Sequence, residues 1–184
     1  MTHPELETSR LKLVRLSKNH LEDLFKIYSS EQLMKYWDDY PHSNIEKTKE
    51  VYEMLSKRET NNTGVCWAIS LKDNREIIGT IAYNGYKKNG LASIGYILKE
   101  KFWNKGYTTE ALTKFIDYGF STLNVHRIEA HVSLGNIGSE KVLQKVGFIK
   151  EGVLRERVFF KDKHQSLIVY GLLKSDKQQN ITQK

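Results

Sequence analysis

The order of hydrophobic and polar residues predicts a strand near the start of the chain, followed by two helices. Residues 8–16 alternate in part between apolar and polar side chains, which is typical of a strand. Ser17 is a candidate N-cap, and apolar residues follow it at the i, i+3, i+4, i+7 spacing of one helical stripe. A capping-box pattern at Ser43–Glu46 predicts a second helix to about residue 59, which the polar segment 61–64 ends.

Three short β-rich runs come next, at 65–71, 76–85 and 91–99. Polar turns separate them, and the pair Asn89-Gly90 is a strong signal for a hairpin. The three runs therefore predict an antiparallel meander.

The pattern then changes to strands that alternate with helices. Helical spacing over 108–121 precedes a strand at 127–133 and a short helix at 139–146, and two final strands at 153–160 and 167–173 form a hairpin. A strand–helix–strand order implies a parallel pair in the middle of a mixed sheet, with helices on its faces.

Composition narrows the class of protein. The chain has 184 residues, of which 39% are hydrophobic, and this suits one folded domain at 1–174 with a polar, frayed tail at 175–184. Apolar runs are too short to span a membrane, no secretory signal is visible, and the single cysteine forms no internal disulfide, so we expect a cytoplasmic protein. The net charge of +7 fits a polyanionic cofactor, nucleic acid, a ribosome surface, an anionic membrane or a merely solvated surface.

The first segment with candidate chemistry joins the third run of the meander to the following helix. Gly106 lies where that helix begins, and the first free amides of a helix attract anions. Lys105 adds a positive charge, and Thr108 and Thr109 add hydroxyl groups. The segment predicts a cradle for a pyrophosphate, although a glycine between a strand and a helix is more often only a turn. It matches neither the Walker loop nor the dinucleotide fingerprint.

The second segment opens the short helix. Asn136 and Ser139 are three residues apart, so their side chains share one face of its first turn. The structural alternative is that Asn136 is simply the N-cap of the helix.

Together these two segments resemble the GNAT N-acetyltransferases, and within them the branch related to ribosomal-protein N-terminal acetyltransferases (RimJ/RimL-like). The matching stretches are Ser93–Ala111 and Arg127–Gly152, supported by Thr8–Leu13 and Val169–Leu173. The resemblance covers nearly the whole chain to about Leu173. Each motif is loose alone, but the two in this order and spacing are specific.

The resemblance implies an α/β (α+β) fold with a mixed, mostly antiparallel seven-stranded sheet. That sheet is splayed between its fourth and fifth strands, with helices on both faces and acetyl-CoA in the gap. The backbone of Ile97 and Leu98 would bind the pantetheine arm, Asn136 would bind the same region, and Ser139 would be the general acid for the leaving thiolate. The pyrophosphate would be held by the loop residues Asn104, Lys105, Gly106, Tyr107, Thr108 and Thr109.

The implied reaction is direct attack of a primary amine on acetyl-CoA in a ternary complex, without a metal. We expect the α-amine of a ribosomal-type protein N-terminus as acceptor, against a polyamine, an amino sugar or an antibiotic. A different class of function is a non-catalytic basic module that binds the ribosome or nucleic acid. We expect no membrane partner, no specific nucleic acid, and a monomer or a homodimer.

Three positions depart from the pattern of the family, and the acceptor side stays open. In the phosphate loop, Trp103 stands where the family often has Gln or Arg, and Thr108 stands where it often has Gly or Ala. Near the C-terminus, Ser166 stands where the branch often has an aspartate. Asp38 and Asp39 are candidates to attract the amine, although a loop with solvated aspartates and aromatic residues packed into the core is favoured. Four side chains are candidates for a general base: Glu129, His131, Glu151 and Glu156.

Overall fold

Eight strands form one mixed sheet in the computed structural model, which describes residues 3–177. Their order across the sheet is β1-β2-β3-β4-β5-β6-β8-β7, and every neighbouring pair is antiparallel except β5 and β6. The strands are β1 (Leu6–Glu7), β2 (Leu11–Arg15), β3 (Val65–Leu71), β4 (Ile77–Tyr86), β5 (Leu91–Leu98), β6 (Arg127–Ser133), β7 (Ile149–Phe160) and β8 (Lys163–Leu173).

Helices cover both faces of this sheet, as predicted. They are α1 (Leu21–Tyr28), α2 (Glu31–Met34), α3 (Ile45–Thr60), α4 (Tyr107–Ser121) and α5 (Ile137–Lys145). One hydrophobic cluster joins the buried stripe of α4 to one face of the sheet, and a second joins α1 and α2 to the other face. Trp67 belongs to the first cluster and Ala68 to the second, so β3 is buried on both sides.

The structure differs from the sequence prediction at three local points. The described chain has eight strands instead of seven, because the two-residue strand β1 pairs with β2. The four-residue helix α2 was not predicted; its N-cap is Ser30, whose side chain accepts from the Leu33 N–H. The predicted capping box at Ser43–Glu46 is wrong, because Asn44 caps α3 by accepting from the Lys47 N–H at 3.0 Å.

The sheet is splayed between β5 and β6, which are the fourth and fifth of the seven predicted strands because the additional strand β1 shifts the count by one. The two strands pair in parallel only from Leu91 opposite Arg127 to Ile94 opposite Ala130. Beyond that point Gly95–Leu98 and His131–Ser133 have no register partner in each other. Each strand keeps its other neighbour, β4 or β8. The gap therefore exposes one backbone edge of β5 and one of β6 in the middle of the sheet.

The C-terminal end of the described chain packs against α4. Residues 174–177 form a helical turn, in which the Asp176 carboxylate accepts from the Leu173 N–H at 2.8 Å, and Lys177 pairs with Asp117. The remainder of the predicted tail, 178–184, lies outside the described residues. No helix within residues 3–177 has the length and hydropathy needed to cross a membrane.

Candidate active site

The gap between β5 and β6 opens into a cavity of about 670 Å³. Its walls come from both faces of the sheet. On one face they include Asn104, Thr108 and Ser139, beside α4 and α5, and on the other they include Tyr36 and Asp38, in the segment after α2. The cavity therefore passes through the sheet and has two halves, which we call the α4–α5 half and the α2 half.

The loop before α4 has the backbone geometry of an anion site. Gly106 is the N-cap of α4 with φ +80°, and Asn104 is also left-handed with φ +58°. Gly106 makes no side-chain cap, so the first N–H groups of this fifteen-residue helix have no capping side chain. A helix N-terminus of this kind favours a phosphate group. Asn104 and Thr108 line the cavity, while Lys105, Gly106, Tyr107 and Thr109 lie beside it in the same loop and first turn.

The N-terminal strand segment fixes this loop from below. The Arg10 guanidinium donates to the Lys105 carbonyl at 3.0 Å and to the Glu110 carboxylate at 2.7 Å, and it lies 4.3 Å from the centroid of the Tyr107 ring. Burial alone would raise the pKa of Glu110, but hydrogen bonds from Thr8 and from the backbone and side chain of Arg10 lower it to about 2. Sequence reasoning did not find this anchor, because its halves are about a hundred residues apart.

The unpaired end of β5 forms one wall of the α4–α5 half. Ile97 and Leu98 are both buried and both line the cavity. The Trp103 indole N–H donates to the Leu98 carbonyl at 2.7 Å. The residue that departs from the family pattern thus braces the strand end, and it uses one lone pair of a carbonyl that was predicted to bind the cofactor.

The first turn of α5 faces this wall. Asn136 is the N-cap of α5, and its side-chain oxygen accepts from the Ser139 N–H at 3.2 Å. Asn136 is therefore the N-cap of α5, as the structural alternative predicted. The cap uses its side-chain oxygen, and no contact described for the cap uses its NH₂ group. Ser139 Oγ lies 2.7 Å from the Tyr96 hydroxyl. The structure thus brings Asn136 and Ser139 together at the cavity, as predicted.

Tyr96 is a site residue that sequence reasoning missed. It lines the cavity, and its burial, opposed by the hydrogen bond to Ser139, raises its pKa to about 12. The sequence signal for Tyr96 was strand alternation. Ile94, Tyr96 and Leu98 point to one face of β5, and α5, which follows β6, packs on that face. The sequence did not show which tyrosine would reach Ser139.

The aromatic segment after α2 forms the wall of the α2 half. Tyr36 joins this segment to the end of β6, since its hydroxyl donates to the Gly135 carbonyl and its own carbonyl accepts from Ser133 Oγ, both at 3.0 Å. Trp37 packs against the second hydrophobic cluster and also lines the cavity, as Asp38 does. Asp39 lies in a separate surface depression. The packing of Trp37 agrees with the structural alternative, and attraction of the amine by Asp38 stays a prediction.

Ionic contacts separate the four base candidates. Arg127 pairs through both guanidinium nitrogens with Glu151, and it donates from Nε to Glu129 Oε1 at 2.8 Å. The hydrogen bond from Arg127 is the main cause that lowers the pKa of Glu151. His131 lines the cavity, and its Nε2 lies 3.8 Å from Glu129 Oε2.

Ser166 supports a strand irregularity outside the cavity. Its hydroxyl oxygen accepts from the Glu156 N–H at 3.0 Å, at the point where the register between β7 and β8 shifts and Glu156 has φ +50°. Neither Ser166 nor Glu156 is among the residues that line the cavity. Within residues 3–177 there is no group of three His, Cys, Asp or Glu side chains that could hold a metal.

The family model and three relatives that match this chain are all acetyltransferases. The family described as acetyltransferase (GNAT) domain matches residues 10–149. The chain is 33% identical to the uncharacterized N-acetyltransferase p20 of Bacillus licheniformis over 172 residues, which is 93% of this chain and 97% of that protein. It is 25% identical to the ribosomal-protein-serine acetyltransferase of Escherichia coli, with 93% and 97% covered, and 24% identical to the spermidine N(1)-acetyltransferase of Vibrio cholerae, with 91% and 95% covered.

Solved structures show the same fold. The ribosomal L7/L12 α-N-protein acetyltransferase RimL in complex with coenzyme A superposes with a TM-score of 0.84 at 18% identity, covering 92% of this chain and 98% of that one. The Vibrio cholerae spermidine N-acetyltransferase in complex with CoA and spermine gives 0.81 at 23% identity, with 92% and 99% covered.

Proposed function

The chain belongs to the GNAT acetyltransferase family and is an acetyl-CoA-dependent N-acetyltransferase, and from that premise we propose that its acceptor is the α-amine of a protein N-terminus, of the ribosomal-protein type. Relatives that act on a ribosomal protein and on spermidine both match this chain at similar identity. The acceptor must therefore be argued from the side chains of this cavity. Membership of an enzyme family also leaves the non-catalytic basic module without support.

The observation that carries the proposal is the charge of the cavity wall. Among the described residues that line it, Asp38 is the only carboxylate, and it is accompanied by Lys35 in the same segment. A polyamine brings two or more cationic nitrogens into the site, and each buried cation needs a paired anion. Asp38 can pair with one cationic nitrogen, and the positive charge of Lys35 disfavours a second one, so the cavity suits an acceptor with a single amine.

Neutral polar groups of the α2 half suit the peptide that follows an α-amine. Asn84, Ser93 and Gln165 line the cavity with amide and hydroxyl groups that can both donate and accept. A peptide backbone needs such groups because its N–H and C=O lose hydrogen bonds to water on binding. This wall therefore offers hydrogen-bonding partners to the backbone of a peptide acceptor.

The reactivity of the α-amine also favours it. Its reference pKa is about 7.7–8.0, so a useful neutral fraction exists near pH 7, whereas a lysine amine near 10.4 is almost wholly protonated. A neutral α-amine can attack once it is placed against the thioester, and good placement alone supplies roughly 7–11 kcal/mol.

For acetyl-CoA, the fit to the α4–α5 half is supported by three features of the chain. The N-terminus of α4, with the left-handed Gly106 and the side chain of Lys105, suits the pyrophosphate. The unpaired edge at Ile97 and Leu98 suits the amide groups of the pantetheine arm as an added strand would. The free NH₂ of Asn136 suits a pantetheine carbonyl, and Tyr107, Thr108 and Thr109 supply the first-turn amides around the phosphates.

We assign the chemical step to the middle of the cavity. The amine nitrogen forms a bond to the acetyl carbon and gives up one proton to a base or to water, while the carbonyl electrons move to oxygen, which needs a backbone N–H donor. The predicted donor, the Ile97 N–H, points at β4, because Ile97 lies opposite Thr80 and the Lys99 N–H two residues on donates to the Ile78 carbonyl. The Leu98 N–H lies on the other edge of β5, toward the gap, and is the donor that we propose instead. When the carbonyl re-forms, the carbon–sulfur bond breaks and the thiolate leaves. Ser139 then donates a proton to the sulfur, Tyr96 restores the proton of Ser139 through their hydrogen bond, and water returns a proton to Tyr96 after the products leave.

An acceptor screen tests the proposal. Purified protein and acetyl-CoA are mixed with peptides that copy ribosomal-protein N-termini, with the same peptides blocked at the α-amine, with spermidine and with an amino sugar. Thiol release gives the rate, and mass spectrometry of the product locates the acetyl group. We expect the free peptides to give the highest kcat/KM and the blocked peptides to give none. A higher kcat/KM for spermidine, or acetylation only at a lysine, would contradict the proposal.

A further inference from the structure

The start of the gap between β5 and β6 brings one imidazole to the edge of the cavity. Pairing of the two strands ends at Ile94 and Ala130, so His131 is the first residue of β6 beyond the paired region. The next position of β5 is Gly95, which has no side chain. A Cβ at Gly95 would lie 3.0 Å from Asn84 Nδ2. The space beside His131 therefore contains no side chain from Gly95, and the side-chain amide of Asn84 bounds it.

A row of charged side chains on β6 places a carboxylate beside this imidazole. Arg127, Glu129 and His131 alternate along one face of β6, while Ile128, Ala130 and Val132 are buried on the other. One oxygen of Glu129 accepts from Arg127, and the other lies 3.8 Å from His131 Nε2. At 3.8 Å this contact is longer than a hydrogen bond, so Glu129 acts on the ring through its charge, and the neutral imidazole keeps one nitrogen lone pair that can take a proton.

His131 and Glu129 differ in their access to substrate. The side chain of His131 is 37% exposed and lines the cavity, whereas that of Glu129 is 20% exposed and is not among the lining residues. The groups beside His131 in the sheet are uncharged, because its partner on β8 is Val169, with Gly152 of β7 beyond it. Other charged groups on the described cavity wall are Lys35 and Asp38.

We propose that His131 is the general base of the acetyl transfer and that Glu129 is the positioning residue for its imidazole. As the neutral amine attacks, the nitrogen–carbon bond forms and one N–H bond breaks, and the unprotonated ring nitrogen of His131 takes that proton. The resulting imidazolium is stabilised by Glu129, and the proton passes to water after product release. The balance needs no further reagent. Imidazole suits this task because its ordinary titration lies close to neutral pH.

The proposal rests on the acetyltransferase activity and not on the choice of acceptor. It applies to whichever amine the acceptor screen identifies, because every candidate must lose one proton. A failure of the peptide proposal therefore leaves this one testable with the amine that is turned over.

The pH dependence of kcat/KM distinguishes a base from a structural residue. In the wild type, activity at acid pH requires the loss of two protons, one from the amine and one from the imidazole, so log kcat/KM falls with a slope of two. We expect His131→Gln to lower kcat at pH 7.5 by about 10²-fold, within the usual range for general base catalysis, and to reduce the acid slope to one. Glu129→Gln should retain the slope of two and lower kcat, since the imidazolium that forms during the transfer loses its carboxylate.

His126→Gln is the matched control, because His126 precedes the other end of β6 and does not line the cavity. It should keep the profile of the wild type. The thermal shift with acetyl-CoA checks that each variant is folded and binds the cosubstrate. An acid slope of two that persists in His131→Gln overturns the proposal. It is also overturned if Asp38→Asn, and not His131→Gln, reduces the slope to one, because Asp38 would then be the group that must lose the second proton.

Discussion

The Tyr96 hydroxyl lies 2.7 Å from Ser139 Oγ, and this contact joins the unpaired half of β5 to the first turn of α5. A second contact, 3.4 Å from the same hydroxyl to the Ser139 carbonyl, holds the phenol over the helix end. Burial makes Tyr96 a poor acid on its own, since its pKa is raised to about 12. Its use is therefore to hold and recharge Ser139 rather than to protonate the thiolate itself.

Substitution of this pair should reduce turnover without releasing acetyl-CoA. Ser139→Ala removes the proton donor, and we expect kcat to fall by about 10²-fold, the lower end of general acid catalysis, because a thiolate is already a fair leaving group. Tyr96→Phe removes the hydroxyl that contacts Ser139, and a loss of about 1 kcal/mol corresponds to about fivefold in rate. The measurement is kcat and KM for acetyl-CoA at saturating acceptor.

The double variant decides whether the two side chains act as one unit. If Tyr96 acts only through Ser139, Tyr96→Phe should have no further effect in the Ser139→Ala background. Fold-changes that multiply would show that Tyr96 acts separately, and unchanged turnover in Ser139→Ala would make Ser139 structural.

Acetyl-CoA should raise the melting temperature, and Gly106 should control how strongly. A ligand at 100 times its Kd adds about 2.7 kcal/mol, and each kcal/mol raises Tm by roughly 2–4 °C for a chain of this size. Gly106→Ala places a side chain at φ +80°, where a Cβ would lie 3.4 Å from the Arg10 guanidinium. The strain of about 1–2 kcal/mol should distort the loop and weaken acetyl-CoA binding.

Acetyl-pantetheine is the matched ligand for this test, because it has the thioester and the arm but no pyrophosphate. Gly106→Ala should weaken acetyl-CoA and leave acetyl-pantetheine unchanged. An equal loss for both ligands would place the effect outside the phosphate loop, and the absence of any shift with millimolar acetyl-CoA would contradict the assigned site.

Elements with a long hydrophobic pattern could be predicted from the sequence. The stripe of α4 and the strand–helix–strand order gave the parallel pair and the helices on both faces. The four-residue helix α2 and the two-residue strand β1 could not be found, because each spans only about one period of its pattern and a periodicity needs several. The cap of α3 fell on Asn44 instead of Ser43, since both residue types cap helices equally well.

For the site, local motifs were predictable and long-range partners were not. Asn136 and Ser139 lie close in sequence, so helix geometry alone puts them on one face. Tyr96, Arg10 and the contact of Ser166 with Glu156 depend on the register of strands and on which face of the sheet each helix covers. Only the folded chain fixes those relations.

Gly119→Ala should destabilise the protein although alanine is the better helix former. A Cβ at Gly119 would overlap the Tyr83 hydroxyl and lie 3.0 Å from Tyr83 Cζ. Tyr83 cannot move aside, because its hydroxyl donates to the Phe115 carbonyl at 2.7 Å and its ring is stacked on Phe115 at 4.0 Å. Overpacking of about 1–3 kcal/mol should exceed the gain in helix propensity of about 1 kcal/mol.

Chemical denaturation measures the change in the free energy of unfolding. Gly138→Ala is the control, because its nearest neighbour would be Asn136 Oδ1 at 3.9 Å. It should be neutral or stabilising in the same assay. If Gly119→Ala is as stable as the wild type, the packing around Tyr83 is looser than its contacts indicate.

The Arg10–Glu110 anchor should make stability depend on acid pH. Hydrogen bonds from Thr8 and Arg10 lower the pKa of Glu110 from its ordinary 4.5 to about 2, against the opposing effect of burial. A carboxyl whose folded-state pKa is lowered stabilises the fold fully above its unfolded pKa, and this contribution is lost as pH falls toward the folded value. The free energy of unfolding of the wild type should therefore exceed that of Glu110→Gln at pH 7, and the difference should shrink between pH 4.5 and about 2.

Urea denaturation at a series of pH values measures this difference in the free energy of unfolding. Glu100→Gln, at an exposed residue, is the control for the loss of one charge. Because Arg10 also holds the Lys105 carbonyl, Glu110→Gln should weaken acetyl-CoA binding at pH 7 as well, which a structural effect confined to the N-terminal strand would not do. A stability difference that stays constant from pH 7 to pH 2 would show that Glu110 contributes through packing and not through its charge.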